Sequence, residues 1–338
     1  MTEGVTKNPA KPGRRGFGVP ALAGGAVARS SALKFFDVML VPSAPPPEGG
    51  TPNLSYFGRS AAALCFLVLW PAVAFAQTNT VKLGPVELEP NKVREFYVAP
   101  DARAQWESNQ RGQKIQNVKV ALAVPDGFDP RKTWPLLIVS APSGGSSVRS
   151  VSAYTGVALS AGWIVLGADG PPTKAEHDTF TWGWAMLSSG LEFVHKFWPD
   201  SKKWPVACAG FSGGAKRSGM IGAIMMKENY SVIGMFMGGC NEDNASLGLR
   251  VSQPGEQFKQ VPIFLSSGMT DPIATPEQHA VVKQSMYRTG FERIRLENYE
   301  GGHRLDNETL GRALDWFLKQ STNKVSAKDL STNPGSAK

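Results

Sequence analysis

The chain has 338 residues, of which 36 are Lys or Arg and 28 are Asp or Glu, for a net charge of +8, and 42% are hydrophobic. That apolar share fits a globular chain with a sizeable core and excludes a wholly disordered one. The basic balance is no nucleic-acid footprint: seven of the basic and three of the acidic residues precede residue 77, and no basic stripe with interleaved aromatics occurs.

Residues 1–58 are rich in Gly, Pro, Ala and Ser, centred on Pro45-Pro46-Pro47-Glu48-Gly49-Gly50, and hold no hydrophobic period. They predict disorder or a mis-set start, with Met39 as an alternative start. Arg59-Ser60 then precedes an apolar stretch from Ala61 to Ala76, in which Ala74-x-Ala76 offers small residues before Gln77. This is the pattern of a secretory signal peptide over 59–76. Its apolar core is shorter than the roughly 20 residues of a membrane span, so no stable membrane insertion is expected after cleavage. An uncleaved anchor is the alternative. The expected location is secreted or periplasmic.

Two strands with alternating polar and apolar residues follow, Lys92 to Val98 and Asn117 to Val124. They predict antiparallel strands with one wet face. The pattern then changes to continuous apolar runs at 134–140, 163–167, 205–209, 232–237 and 261–265. Runs of this kind predict central parallel strands covered on both faces. Helical patterns lie between them, at Val148 to Ser160, Thr179 to Trp198 and Ala215 to Lys227, with a fourth opened by Thr275-Pro276-Glu277. A last one starts near Asp306, with Leu310, Ala313, Leu314, Phe317 and Leu318 on one face. The alternation predicts an α/β domain over 77–320: a mostly parallel sheet, helices on both faces, and antiparallel strands at its N-terminal end. Residues 321–338 are polar and predict a disordered tail. Cys208 and Cys240 lie in or beside different strands and are expected as two buried thiols rather than a disulfide. Neither has metal-ligand company.

Ligands of such sheets sit beyond the carboxyl ends of the strands, so the residues after each run carry the functional argument. After 205–209 comes Gly210-Phe211-Ser212-Gly213-Gly214, a strand entering a turn that holds Ser212 at its apex before a helix N-terminus. Ser212 is the candidate nucleophile. Asp271 follows the run ending at Leu265 and is the candidate acid, with Asp243 and Asp169 as rivals. His303 follows Gly301-Gly302 after a further strand, Ile294 to Tyr299, and is the candidate base. His195 and His279 fall within helices and read as packing or surface residues. His177 lies in a strand-end loop and is a possible cleft residue, as are Phe180, Trp182 and Trp184, which equally suit a core.

The order Ser212, Asp271, His303 resembles that of the α/β-hydrolase superfamily, whose triad runs nucleophile, acid, histidine. The resemblance covers about residues 90–320. It is similar in particular to compact secreted esterases of the polyhydroxybutyrate-depolymerase, feruloyl-esterase and dienelactone-hydrolase-like groups. It implies a serine hydrolase acting on a small-molecule or polymeric carboxylic ester, without cofactor or metal. It also implies an oxyanion hole with one donor from Gly213 and another from the loop after the first central parallel strand. That loop departs from the common His-Gly pattern: it reads Ala141-Pro142-Ser143-Gly144, and Pro142 has no N–H. The second donor is therefore assigned to Ser143 or Gly144. The alternatives are a prolyl-oligopeptidase-like serine peptidase and a non-catalytic binding protein on the same fold.

Overall fold

The computed structural model describes residues 80–331 except 111, 113 and 171–179. The N-terminal extension, the expected signal peptide and His177 lie outside the described residues. A short hairpin, β1 (Val81–Leu83) and β2 (Val86–Leu88), comes first. The other strands are β3 (Arg94–Val98), β4 (Val118–Ala123), β5 (Leu136–Ser140), β6 (Ile164–Ala168), β7 (Pro205–Phe211), β8 (Ser231–Gly238), β9 (Ile263–Gly268) and β10 (Ile294–Tyr299). They form one sheet in the order β10-β9-β8-β7-β5-β6-β4-β3. β4 runs antiparallel to both β3 and β6, and the remaining neighbours pair in parallel. This is the α/β-hydrolase fold.

Among the described residues seven α-helices complete it: α1 (Ala102–Gln110), α2 (Ser147–Ser160), α3 (Phe180–Phe197), α4 (Gly213–Lys227), α5 (Asn244–Ser252), α6 (Pro276–Thr289) and α7 (Asn307–Ser331). Successive residues of a strand point to opposite faces, so each central strand feeds two cores. Ile138 and Cys208 pack with Leu187 of α3 and Ile221 of α4. Val139 and Ala207 pack with Val151 of α2 and Leu314 of α7 on the other side. Both faces are dry, which is why the runs are apolar throughout. Phe317 of α7 is fully buried over Gly234 of β8, where a Cβ would stand 2.2 Å from the ring. The thiols of Cys208 and Cys240 are both free and buried, and burial pushes them up to about 12 and about 11.

Two expectations need correction. β4 has no wet face: apart from Lys119 it is buried throughout, because α2 and α3 cover its two sides. α7 continues through Ser331, ten residues past the expected start of a disordered tail at 321. No Gly or Pro interrupts 321–331, and a helix already held by a packed face propagates at one hydrogen bond per added residue. The sequence also missed the β1–β2 hairpin, α1 and α5. The two helices have nine residues each, too few for a clear period.

β5 is the point at which the topology reverses. The chain leaves it through α2 to β6 on one side, whereas β7 lies on the other. The two strands stay paired to Ser140 and Gly210, and the chain leaves their carboxyl ends in different directions, which is where a ligand of such a sheet sits.

His195, in α3, is buried rather than catalytic. The Ser201 hydroxyl donates to the Trp198 carbonyl, so it accepts from His195 Nδ1–H at 2.6 Å. The Tyr230 hydroxyl lies 3.2 Å from Nε2. Burial holds this imidazole neutral and lowers its pKa from 6.5 to about 4. The unfolded chain therefore binds a proton between those pH values that the folded chain refuses, and stability falls as pH drops through that window. The loss is on the order of 3 kcal/mol. Thermal unfolding of His195→Gln is expected to show a shallower fall in Tm between pH 6.5 and 4 than the parent chain, measured in parallel.

Candidate active site

Ser212 joins β7 to α4 with φ 55° and ψ −122°, a backbone conformation rarely held by a residue with a side chain. Such strain costs on the order of 1–3 kcal/mol and persists only where the surroundings impose it. Here they do. A Cβ at Gly210 would stand 2.2 Å from backbone atoms of Gly214, and one at Gly214 would stand 2.2 Å from the Ser140 carbonyl oxygen. Both glycines are required by space alone. The Ser212 N–H donates to the Gly238 carbonyl at 2.8 Å, which fixes the turn to the end of β8.

Asp271 and His303 meet beyond β9 and β10. Asp271 is buried, and its Oδ1 accepts from the N–H groups of Ile273 and Ala274 at 2.8 and 2.9 Å. Its Oδ2 lies 2.7 Å from His303 Nδ1. Burial pushes the carboxyl up, but the Ala274 N–H, the His303 ring and the Ile273 N–H together outweigh it and hold its pKa below the ordinary value. An ionised Asp271 accepts the Nδ1 proton, which leaves Nε2 of His303 as the basic nitrogen. The two loops are tied together as well: Thr270 N–H donates to the Gly301 carbonyl at 2.9 Å, and a Cβ at Gly268 would lie 2.5 Å from the Gly302 carbonyl oxygen.

The His303 ring packs on Phe211, the residue before Ser212, with centroids 4.8 Å apart. It also comes within 3.2 Å of the place a Cβ would take at Gly239. The imidazole thus sits over the end of β7 and β8. Among the described residues no hydrogen bond joins Ser212 Oγ to Nε2. In ligand-free sites such contacts are often long and close when substrate binds.

The rival acids have other work. Asp243 caps α5, accepting from Ser246 N–H at 3.0 Å, and its second oxygen accepts from the Ser285 hydroxyl at 2.6 Å. Asp169 accepts from Ser147 N–H at 2.7 Å at the start of α2. His279 is buried, with Nε2 accepting from Cys240 N–H at 3.0 Å and Nδ1 facing the Thr275 carbonyl at 3.1 Å. Among the described residues no group of three His, Cys, Asp or Glu side chains is placed to hold a metal ion.

Beyond β5, residues 142–145 form a turn closed by Gly145 N–H to the Pro142 carbonyl at 2.9 Å, with Gly144 at φ 65°. Pro142 has no N–H, and that of Gly145 is spent in the turn. Any donor from this loop therefore comes from Ser143 or Gly144. Pro142 stands against Gly213, whose N–H opens α4 at the positive end of the helix dipole.

One residue in this arrangement escaped the sequence. Arg217, in α4, is 6% exposed. Its guanidinium donates to the carbonyls of Ala141 and Gly213, both at 3.2 Å, and to the Ser143 hydroxyl at 2.8 Å. It fastens the turn after β5 to the helix after Ser212. Its only sequence signal was its place one turn into the helix that follows the serine. Phe180 is half-buried and, with Ser143, Gly213, Lys216 and Arg217, lines a cavity of about 230 Å³. Trp182 and Trp184 are 4% and 2% exposed and belong to the core.

No family model matches the sequence, and no curated protein matches it. Among solved structures, it is similar to a bifunctional GH43-CE protein of Bacteroides eggerthii at 12% identity and TM-score 0.45, over 60% of this chain and 36% of that one. A truncated carbohydrate esterase from gut microbiota matches at 14% identity and TM-score 0.47, over 68% and 96%. Oligopeptidase B from Leishmania major matches at 14% identity and TM-score 0.45, over 68% and 37%. The chain spans little more than a third of the first and the last of these proteins.

The elbow makes a direct prediction. Gly214→Ala drives a methyl group into the Ser140 carbonyl and is expected to cost at least about 3 kcal/mol, read by urea unfolding. Gly156→Ala, in α2 with open space around the new Cβ, is expected to gain about 0.5–1 kcal/mol in the same assay.

Proposed function

We propose that this protein is a serine hydrolase that cleaves carboxylic esters through an acyl-enzyme intermediate. The observation that carries the reading is the strained Ser212 turn at the end of β7 beside a His303 ring oriented by buried Asp271 at 2.7 Å. Ser212 Oγ attacks the acyl carbon while His303 Nε2 takes its proton. Negative charge develops on the former carbonyl oxygen, facing the Gly213 N–H and the turn at 143–144. His303 returns the proton to the leaving alcohol oxygen, and the acyl group remains on Ser212. Water, deprotonated by the same nitrogen, then releases the acid.

Arg217 is a positioning residue in this scheme. By holding the Ala141 carbonyl and the Ser143 hydroxyl it sets where the second oxyanion donor points. Export is part of the proposal and rests on the apolar stretch at 61–76 with its Ala74-x-Ala76 end. No helix among the described residues is long and apolar enough to cross a membrane.

A second reading is a non-catalytic binding protein, favoured by Pro142 in the turn, which has no N–H to offer an oxyanion. Turnover decides between them. The protein is expected to be labelled by a fluorophosphonate probe and to hydrolyse short p-nitrophenyl esters, both abolished in Ser212→Ala. No labelling and no Ser212-dependent turnover in folded protein rules the hydrolase out. A peptide panel beside the esters separates esterase from peptidase.

Two further substitutions test the roles. Asp271→Asn is expected to lower kcat by about 10⁴-fold, because the histidine is no longer held in the productive tautomer. Arg217→Met is expected to lower kcat by roughly 10²-fold with KM changed little, the loss typical of one oxyanion donor. Circular dichroism of each variant checks that the fold persists.

A further inference from the structure

Helix α4 does more than present the serine. Gly213, Lys216 and Arg217 border the 230 Å³ cavity beside Ser212. Met220, Ile224 and Lys227 border a second cavity of about 520 Å³. At 3.6 residues per turn these six positions fall in one stripe about 100° wide, a single face of the helix. Phe180, the first residue of α3, lines both cavities. The two meet at Phe180 as successive parts of one groove that starts at Gly213, the residue after Ser212, and runs down α4.

The character of the groove changes along its length. Near Ser212 it has the stems of Lys216 and Arg217, whose charged ends are engaged by Glu242 and by the oxygens of the 141–143 turn. Farther on it is apolar, walled by Trp106 of α1, Trp184 of α3, Met220 and Ile224 of α4, and Val251 of α5. Trp106 is 58% exposed and Val251 65%, large apolar side chains left facing this space. The far end is closed by Glu228, which pairs with Arg103 at 2.7 Å and accepts from Trp184 Nε1–H at 3.2 Å.

Which half of an ester enters follows from the proton transfers. The leaving oxygen must lie within reach of His303 Nε2, and His303 packs on Phe211 and Gly239. Neither His303 nor Asp271 borders the groove, whereas Gly213 and Ser143, on the oxyanion side, do. The groove therefore serves the acyl half. Its apolar part begins at Met220, eight residues past Ser212, or about 12 Å along the helix. An extended chain covers about 1.2 Å per bond, so about ten bonds are needed to reach it.

We infer that the groove along α4 is the acyl-binding site for esters of long-chain apolar acids, of about fourteen carbons or more, the first ten or so bonds being spent before the apolar part begins. The inference rests on the ester-hydrolase reading for its catalytic half but has a binding readout of its own.

The test uses the purified full chain with p-nitrophenyl acetate and p-nitrophenyl hexadecanoate below its micelle concentration; a hexadecanoyl chain, about 18 Å long when extended, reaches Ile224. The ratio of kcat/KM for hexadecanoate over acetate is expected to be at least about tenfold, since each buried methylene adds to binding. Ile224→Trp and Val251→Trp, which fill the groove, are expected to cut that ratio about tenfold. Val251 is exposed, so its substitution does not threaten folding. Val281→Trp, on exposed α6 surface away from the groove, should leave the ratio unchanged. Calorimetric titration with hexadecanoic acid is expected to show binding that weakens about tenfold in Ile224→Trp.

Ser212-dependent acetate turnover with no chain-length gain, or a gain that survives both groove substitutions, overturns the inference. So does failure of the folded parent chain to bind hexadecanoic acid. Groove-dependent binding of hexadecanoic acid without turnover of any ester supports the groove and overturns the hydrolase reading instead.

Discussion

The close approach of Gly210 to Gly214 is the constraint on which the rest of the site depends. The chain must reverse from strand to helix within the space of one residue: a bare Gly210 lets its backbone meet that of Gly214, and a bare Gly214 lets the turn lie on the Ser140 carbonyl of β5. The reversal forces Ser212 into its positive-φ conformation. That conformation lifts the hydroxyl clear of the sheet and places the first N–H groups of α4 beneath it. Strain, exposure of the hydroxyl and the positive end of the helix dipole are three consequences of one steric fact.

The sheet supplies the rigid frame that sustains the strain. β5, β7, β8 and β9 are buried on both faces, so the four loops at their carboxyl ends start from fixed points. The reversal of topology at β5 brings the turn after β5 and the elbow after β7 side by side, with Pro142 against Gly213 and Arg217 bonded to both. On the other side, hydrogen bonds between the loops after β9 and β10 set Asp271 against His303. The acid works because backbone N–H groups satisfy one of its oxygens and the imidazole the other. A buried carboxylate without those partners would take up a proton and lose its hold on the ring.

Arg217 links these elements to the groove on α4. Its guanidinium holds the Ser143 hydroxyl, while it also borders the cavity beside Gly213. A proline in that turn is tolerable because position 142 supplies the carbonyl that closes the turn and needs no N–H. The hold on the turn and the border of the cavity thus come from the same face of one helix.

The sequence alone determined much of this. Continuous apolar runs identified the buried parallel strands, because a strand dry on both faces has no polar period. Ser212, Asp271 and His303 were legible from their places after those runs, and Gly210 and Gly214 from the steric demand of the elbow. Short α1 and α5 were not legible, since nine residues hold too little period, and α7 outran its apolar stripe because propagation needs no further burial. Tertiary structure alone decided the rest. It made Asp243 the cap of α5, set Asp169 against the Ser147 N–H of α2, placed Trp182 and Trp184 in the core, and brought Arg217 to a turn 74 residues earlier in the chain. Those assignments depend on contacts between distant segments, and a local pattern of residues carries no record of which distant segment will meet it.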